Sequence, residues 1–321
     1  MIASAEVDEP KPSSRLTAIL RRGWPWVVGA AILAVVVTRV PFAAFREAMG
    51  KGPQLSLALV DVAIAVVVLG TESVATAVGL VAMRMKRPFG DIALVRGVTW
   101  ALVVINYALA QGAFGFYLHR TGVKGLVATG ATLFLIGTNL VALLAITTAS
   151  WVVGDAAHTG AIWWTLVGGC AGFVVYLAVI AAAPRALVRR ELFEPLFTAG
   201  LRGHAFAIAG RLPHTIIIVL GQWLAIRAWG IPVPFSSCAT IMPLVVIAAV
   251  LPISPAGLGT TQAAFLYFFV DLAPEATSDG RTANLLAFGI SHLVYGVSAS
   301  LLIGLACLPV ARRRGLFARP A

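Results

Sequence analysis

Charge is what this chain has least of. Asp and Glu number 13 and Lys and Arg 24 in 321 residues, 12% together, against about 25% in an average soluble domain. With 60% hydrophobic residues and a mean hydropathy of +0.93, the chain cannot cover itself with polar surface in water. A soluble enzyme, a disordered chain and a secreted disulfide scaffold are therefore excluded. Cysteine is equally scarce: Cys170, Cys238 and Cys307 lie in apolar runs without CxxC spacing, and read as small core residues. The five histidines, His119, His158, His204, His214 and His292, share no ligand spacing, so no metal is expected. HExxH, a P-loop, GxSxG and carboxylates paired within sequence reach are all missing, so neither catalysis nor a cofactor is expected. Residues 1–15 hold no apolar stretch ending in a small-residue cleavage site, and read as a retained polar tail.

What the chain does have is apolar runs, at 24–40, 54–82, 97–118, 125–153, 161–183, 207–228, 236–270 and 283–310. Most reach the roughly 20 residues that cross a bilayer as helix. A closed barrel would show short alternating strands, so the pattern predicts an all-α polytopic membrane protein. The net charge of +11 is bunched at run ends. The bunches are Lys11 to Arg22, then Arg84, Lys86, Arg87, Arg96, Arg120 and Lys124, then Arg185 to Arg202, and finally Arg312 to Arg319. That is the positive-inside pattern of an inner (cytoplasmic) membrane protein with both termini cytoplasmic. It assigns the basic charge to topology and anionic lipid, with no nucleic-acid partner. Segments 154–160 and 271–282, poor in Lys and Arg, are expected on the outer side.

Counting sides makes run 97–118 leave and re-enter on the cytoplasmic face, and run 236–270 begin and end outside. This predicts two inverted repeats with re-entrant or broken helices. The divisions are a tail at 1–22, a first repeat at 23–153, an outer loop at 154–160, a second repeat at 161–310 and a basic tail at 311–321. Amphipathic segments 41–52 and 195–203 take corresponding interfacial places. Secondary transporters build midplane sites from such repeats; accidental even spacing is the alternative.

Helix-breaking sequence falls at 110–120 (AQGAFGFYLHR) and 251–265 (LPISPAGLGTTQAAF). In the second, Pro252 and Pro255 remove amide donors, and Gly257 and Gly259 permit backbone angles closed to other residues. A helix restarting after Gly259 would present the amides of Thr260, Thr261 and Gln262 to an anion; a structural kink is the other reading. In the first stretch the candidates are Gly112, Gly115 and Arg120.

The run LPISPAGLGTTQAAFLYFF resembles the flippase-like integral membrane family that includes the transmembrane region of lysylphosphatidylglycerol synthases. Pro255, Gly257, Leu258, Gly259 and Thr260 match that family's second break, with Ala256 in place of a glycine and Thr261 and Gln262 in place of a charged pair. At the first break Gly112, Gly115 and Arg120 fit, while Gln111, Ala113 and Phe116 stand in place of a proline and two charges. The resemblance implies a lipid or lipid-linked headgroup flippase without the synthase's catalytic domain, so no lysyl transfer is expected. The partners expected are membrane lipids with an anionic or phosphate-bearing headgroup. A non-transporting scaffold for a lipid-synthesis or cell-envelope enzyme is the alternative.

Four titratable residues lie inside the runs: Glu72 near mid-membrane, Arg211 and His214 in the matching span of the second half, and His292 in the last span. A carboxylate at such depth must be protonated, paired or hydrated. Glu72 reads either as a proton relay or headgroup ligand, or as a packing partner of Arg211; Arg211 alone reads as snorkelling to the interface. Asn106, Asn139 and Gln222 read as interhelical hydrogen-bond formers, and Trp24, Trp26, Trp151, Trp163 and Trp164 as interfacial anchors.

Overall fold

Prolines set where the first helices begin. Pro41, Pro53, Pro88 and Pro184 each stand at the N-cap, where a fixed φ suits the coming helix and the missing amide hydrogen would have had no intrahelical partner. The computed structural model describes residues 41–105, 107–154, 160–250 and 257–318, together with the helical positions Val27, Ala31, Ala34 and Thr38. Within these residues there is no strand, and eleven α-helices have defined bounds. They are α1 (Phe42–Lys51), α2 (Gln54–Ala82), α3 (Phe89–Val103), α4 (Tyr107–Arg120), α5 (Gly125–Val153), α6 (Gly160–Ala182), α7 (Arg185–Val188), α8 (Glu194–Ala228), α9 (Phe235–Val250), α10 (Thr260–Phe269) and α11 (Ser278–Arg313).

Five stretches, Gln54–Ala82, Gly125–Val153, Ile162–Ala182, Glu191–Ala228 and Ser278–Arg313, are long and apolar enough to cross a membrane. The valines of α6 at 174 and 175 are exposed, as contact with hydrocarbon requires. Cys170, expected in the core, lies exposed on this same helix, whereas Cys238 is buried and Cys307 half-buried.

Several sequence expectations are corrected. The run placed at 97–118 begins earlier, at Phe89 behind Pro88, and its first helix ends at Val103, with a turn at Val104 and Ile105 before the next begins at Tyr107. The stretch 110–120 is unbroken helix within α4. Gly115 serves packing there, since a Cβ would come within 2.9 Å of Thr132 Oγ1. Segment 195–203 is divided at Gly200, whose non-helical backbone (φ 56°, ψ −174°) separates a short helix from the long one that runs on to Ala228; both are included in α8. The run 236–270 does divide, into α9 and α10. Pro252 and Pro255 fall in 251–256, outside the described residues, and the chain resumes at Gly257.

Helix α2 packs along α8, α3 along α11, and α5 against both α8 and α9. Inside a membrane, lipid tails are as apolar as the helices, so close backbone approach has to supply the packing. The α3–α11 contact shows how: Cys307 fills the space over Gly97, where any Cβ would collide with its sulfur.

The two ends of the bundle differ in charge. At one, Arg87 donates to Thr121, Lys124 to Glu191 (2.8 Å) and Arg314 to Asp91 (3.1 Å), joining the segments that follow α2, α4, α7 and α11 and the first turn of α3. The hydrogen bond to Glu191 raises the Lys124 amine above its ordinary range. At the other end α1 packs on the start of α11, and Glu275 accepts from Asn284, which in turn accepts from Trp229 Nε1.

Candidate functional site: a buried ionic cluster beside an apolar cavity

Helix α2 carries two carboxylates in its apolar length, Asp61 and Glu72, both buried. Eleven residues are close to three turns, so the two share one face about 16 Å apart along the axis. Glu72 lies about 15 Å from the basic end of α2, half the roughly 30 Å thickness of a bilayer's hydrocarbon core.

Around Glu72 two helices supply cations. Arg211 of α8 donates through Nη1 to Glu72 Oε2, and His214, one turn along, meets the same oxygen through Nε2 at 2.9 Å. His214 Nδ1 lies 3.1 Å from Thr71 Oγ1. From α3, Arg96 Nε stands 3.5 Å from Glu72 Oε1 and donates to Thr76 Oγ1 at 3.0 Å. Arg96 Nη1 donates to Gln111 Oε1 of α4 at 2.9 Å, and its guanidinium lies over the Phe114 ring, 4.0 Å from the centroid. The end of α3 at Val103 and the start of α4 at Tyr107 let both helices approach the same cluster.

The arithmetic of the cluster does not balance. Two guanidiniums, each in a side chain only 3% exposed, surround one carboxylate. Whichever state His214 takes, at least one positive charge is uncompensated among the described residues. Arg96 Nη2 and Arg211 Nε are buried and reach no hydrogen-bond acceptor. An arginine at mid-membrane costs about 2.5–3.5 kcal/mol on insertion scales, so a surplus one has to be balanced by something it does there.

A cavity of about 300 Å³ begins one helical turn from the cluster, at Val68 and Trp100. Its walls continue the same helix stripes that bear the charges. Ile64, Ala65 and Val68 of α2 lead to Glu72, Trp100 and Val103 of α3 follow Arg96, and Ile218 and Gln222 of α8 follow Arg211. They stand four, seven, eight or eleven residues from those charges, spacings that keep residues on one helical face. At its far side Asp61 Oδ1 meets His292 Nδ1 of α11 at 2.9 Å, while Asp61 Oδ2 is buried without a partner. The His292 ring stacks on Phe288.

Of the residues singled out from sequence, Glu72, Arg211 and His214 come together, and His292 and Thr261 line the adjoining cavity. The second break is partly closed on itself. Gln262 Oε1 accepts from the Gly259 amide at 2.7 Å, its Nε2 donates to Gly289 O, and Thr260 Oγ1 donates to Gly257 O. Gln262 thus caps α10 instead of facing the cavity. Gly257 and Gly259 have φ of 73° and 81°, which side chains rarely adopt. Gly112 has open space beside it, and Arg120 lies over the Phe116 ring at the basic end, away from the cluster. Pro255 lies outside the described residues.

Three site residues escape the sequence reading. Arg96 reads as one of the loop cations, because hydropathy starts its apolar run at 97. Gln111 reads only as the absence of a proline. Asp61 carries the same signal as Glu72, a lone acid in an apolar run.

A second cavity, of about 390 Å³, lies among α5, α6 and α8, with Tyr176 and His204 bonded to each other within it and no Asp, Glu, Lys or Arg on its walls. Among the described residues no three His, Cys, Asp or Glu side chains gather as metal ligands would. Compared with protein-family models, with curated proteins and with solved structures, the chain matches none.

Proposed function

We propose that this protein is a membrane carrier that moves a lipid, or the headgroup of a lipid-linked molecule, between leaflets of the inner membrane. One observation carries the reading: a surplus of buried positive charge at mid-membrane depth, joined along three helix faces to a largely apolar cavity. An amphipathic anion needs that combination, a place for charge and a place for hydrocarbon, to cross the bilayer core.

Helix pairing supports a two-repeat plan. Each half runs long helix, two shorter helices, long helix: α2, α3, α4, α5 and then α8, α9, α10, α11. The contacts exchange accordingly: α3 packs on α11 as α9 packs on α5, α4 on α5 as α10 on α11, and α2 on α11 as α8 on α5. The central pair α2–α8, which holds the ionic cluster, maps onto itself. An inverted repeat with its site at the repeat interface fits this pattern. The charge asymmetry of the two ends supports a topology with both termini in the cytoplasm. In a background lacking the native cysteines, a cysteine at Ser278 should then label from outside and one at Ala186 should not. The resemblance of the second break to flippase-like proteins points the same way.

The test is translocation itself. Purified protein reconstituted into vesicles containing fluorescent phosphatidylglycerol should expose inner-leaflet probe to an impermeant quencher faster than empty vesicles do. Quenching at the empty-vesicle rate would overturn the carrier reading and leave a scaffold for a lipid-synthesis enzyme as its replacement.

A further inference from the structure

We propose that Arg96 and Arg211 form a binding site for a single oxyanion, a phosphate group or a carboxylate, held on the guanidinium edges that Glu72 does not use. The inference deepens the carrier reading and rests on it only for the source of that anion.

Hydrogen-bond accounting makes the case. Arg96 spends Nε on Thr76 and Glu72 and Nη1 on Gln111, which leaves Nη2. Arg211 spends Nη1 on Glu72, and its Nε is buried without an acceptor. The two unspent donors belong to guanidiniums that meet opposite oxygens of one carboxylate, Arg96 at Oε1 and Arg211 at Oε2. Buried polar groups are almost always hydrogen-bonded, and each exception calls for an explanation. Here both exceptions are charged, both are arginine, and the cluster around them lacks one negative charge.

The surrounding residues fit an anion and not a cation. Phe114 packs on the face of Arg96 and fixes the plane of its fork, and Thr76 and Gln111 fix its rotation. A planar fork held in this way suits the paired oxygens of phosphate or carboxylate. Glu72 sets the strength of the site. It neutralises one of the two arginines, so the anion meets a site of about one net charge, which permits release as well as capture. Asp61 cannot take that part, because it lies about 16 Å away along α2 and bonds His292.

The apolar cavity begins one helical turn from the cluster, at Val68 and Trp100, so a phospholipid could place its phosphate on the arginines with its glycerol and chains along the cavity stripe. A free phosphate would use the arginines alone. The shared chemistry is the oxyanion, and the two sources separate by experiment.

The full chain in nanodiscs of phosphatidylcholine, or in neutral detergent, is titrated with inorganic phosphate and, separately, with phosphatidylglycerol, and binding is read by calorimetry and by thermal shift. Wild type is expected to bind at least one of the two. Arg96→Gln and Arg211→Gln are each expected to weaken that binding tenfold or more. Both variants leave a balanced pair with Glu72, so both should still elute as single species. Should either fail to do so, Arg96→Lys is used instead: it keeps the charge, loses the Nη2 edge, and should also bind more weakly. Binding of phosphatidylglycerol alone identifies a lipid anion; binding of phosphate, with competition between the two, identifies the phosphate group itself. Binding of both probes by the folded variants at wild-type strength would overturn the proposal, as would no binding of either by wild type. Translocation that persists without such binding would leave the carrier reading standing and remove the anion site; binding without translocation would do the reverse.

Discussion

Two acidic residues on one face of α2 meet opposite circumstances. Glu72 is over-supplied with donors, from two arginines and a histidine. Asp61 has one histidine and a second oxygen with nothing to accept from. The helix is the same and the burial similar; the difference lies in what faces it. α3 and α8 bring guanidiniums to Glu72, whereas α11 brings only His292 to Asp61. A carboxylate in a membrane helix thus has no fixed meaning. The balance of donors around it decides whether it anchors a cationic cluster or remains an under-used acceptor on a cavity wall.

Removing Glu72 should have the largest effect. Glu72→Ala leaves two buried arginines without a counter-charge and is expected to lower stability by about 3–5 kcal/mol, the range for breaking a buried ion pair on one side. It is read as a fall in the midpoint of thermal inactivation by size-exclusion chromatography. Adding Arg211→Gln should restore much of the loss, because the contacting residues are coupled. A Glu72→Ala midpoint equal to that of wild type would show that the arginines do not depend on the carboxylate.

Next comes the break that bounds the cavity. Gly257→Leu forces a side chain into φ 73° with Thr261 Oγ1 only 2.6 Å from its Cβ. The backbone strain alone is of order 1–3 kcal/mol. The variant is expected to insert into membranes and to lose translocation, measured with the vesicle assay. Unchanged transport would show that the break only shapes the fold.

At Asp61 the effect should be smaller. Asp61→Asn can keep the Oδ1 contact with His292 while changing an oxygen that accepts nothing, so a stability change within about 1 kcal/mol is expected from the scale of a single net hydrogen bond. A loss as large as that of Glu72→Ala would mean that the two carboxylates are equally anchored, and would erase the contrast. Smallest of all, Lys124→Ala removes an exposed pair with Glu191, and its midpoint should match wild type, since such pairs contribute little.

Much of the fold was legible because helix length and apolarity are written directly in a membrane sequence. The runs at 54–82 and 125–153 coincide with α2 and α5. Errors arose where a helix starts with charge. α3 opens with Phe89, Gly90 and Asp91 and carries Arg96 before its apolar stretch, so a hydropathy reading starts it too late and leaves Arg96 in a loop. The site was half legible for the same reason. Glu72 and Arg211 stand out against apolar neighbours, but the end of α3 at Val103, with no proline or glycine in the turn at Val104 and Ile105, leaves no signal that α3 and α4 both approach Glu72. Gln262 shows the converse: its place after Gly259 suggested a ligand, while the local geometry made it a cap.

The central claim is that surplus positive charge at mid-membrane drives translocation, and Arg96→Gln tests it most directly because it removes the surplus and leaves the Glu72–Arg211 pair intact. The measurement is the initial rate of phosphatidylglycerol translocation in vesicles holding equal amounts of folded wild type and variant. The expected result is a rate for Arg96→Gln close to that of empty vesicles, with its thermal midpoint near wild type. A variant that translocates as fast as wild type would contradict the claim.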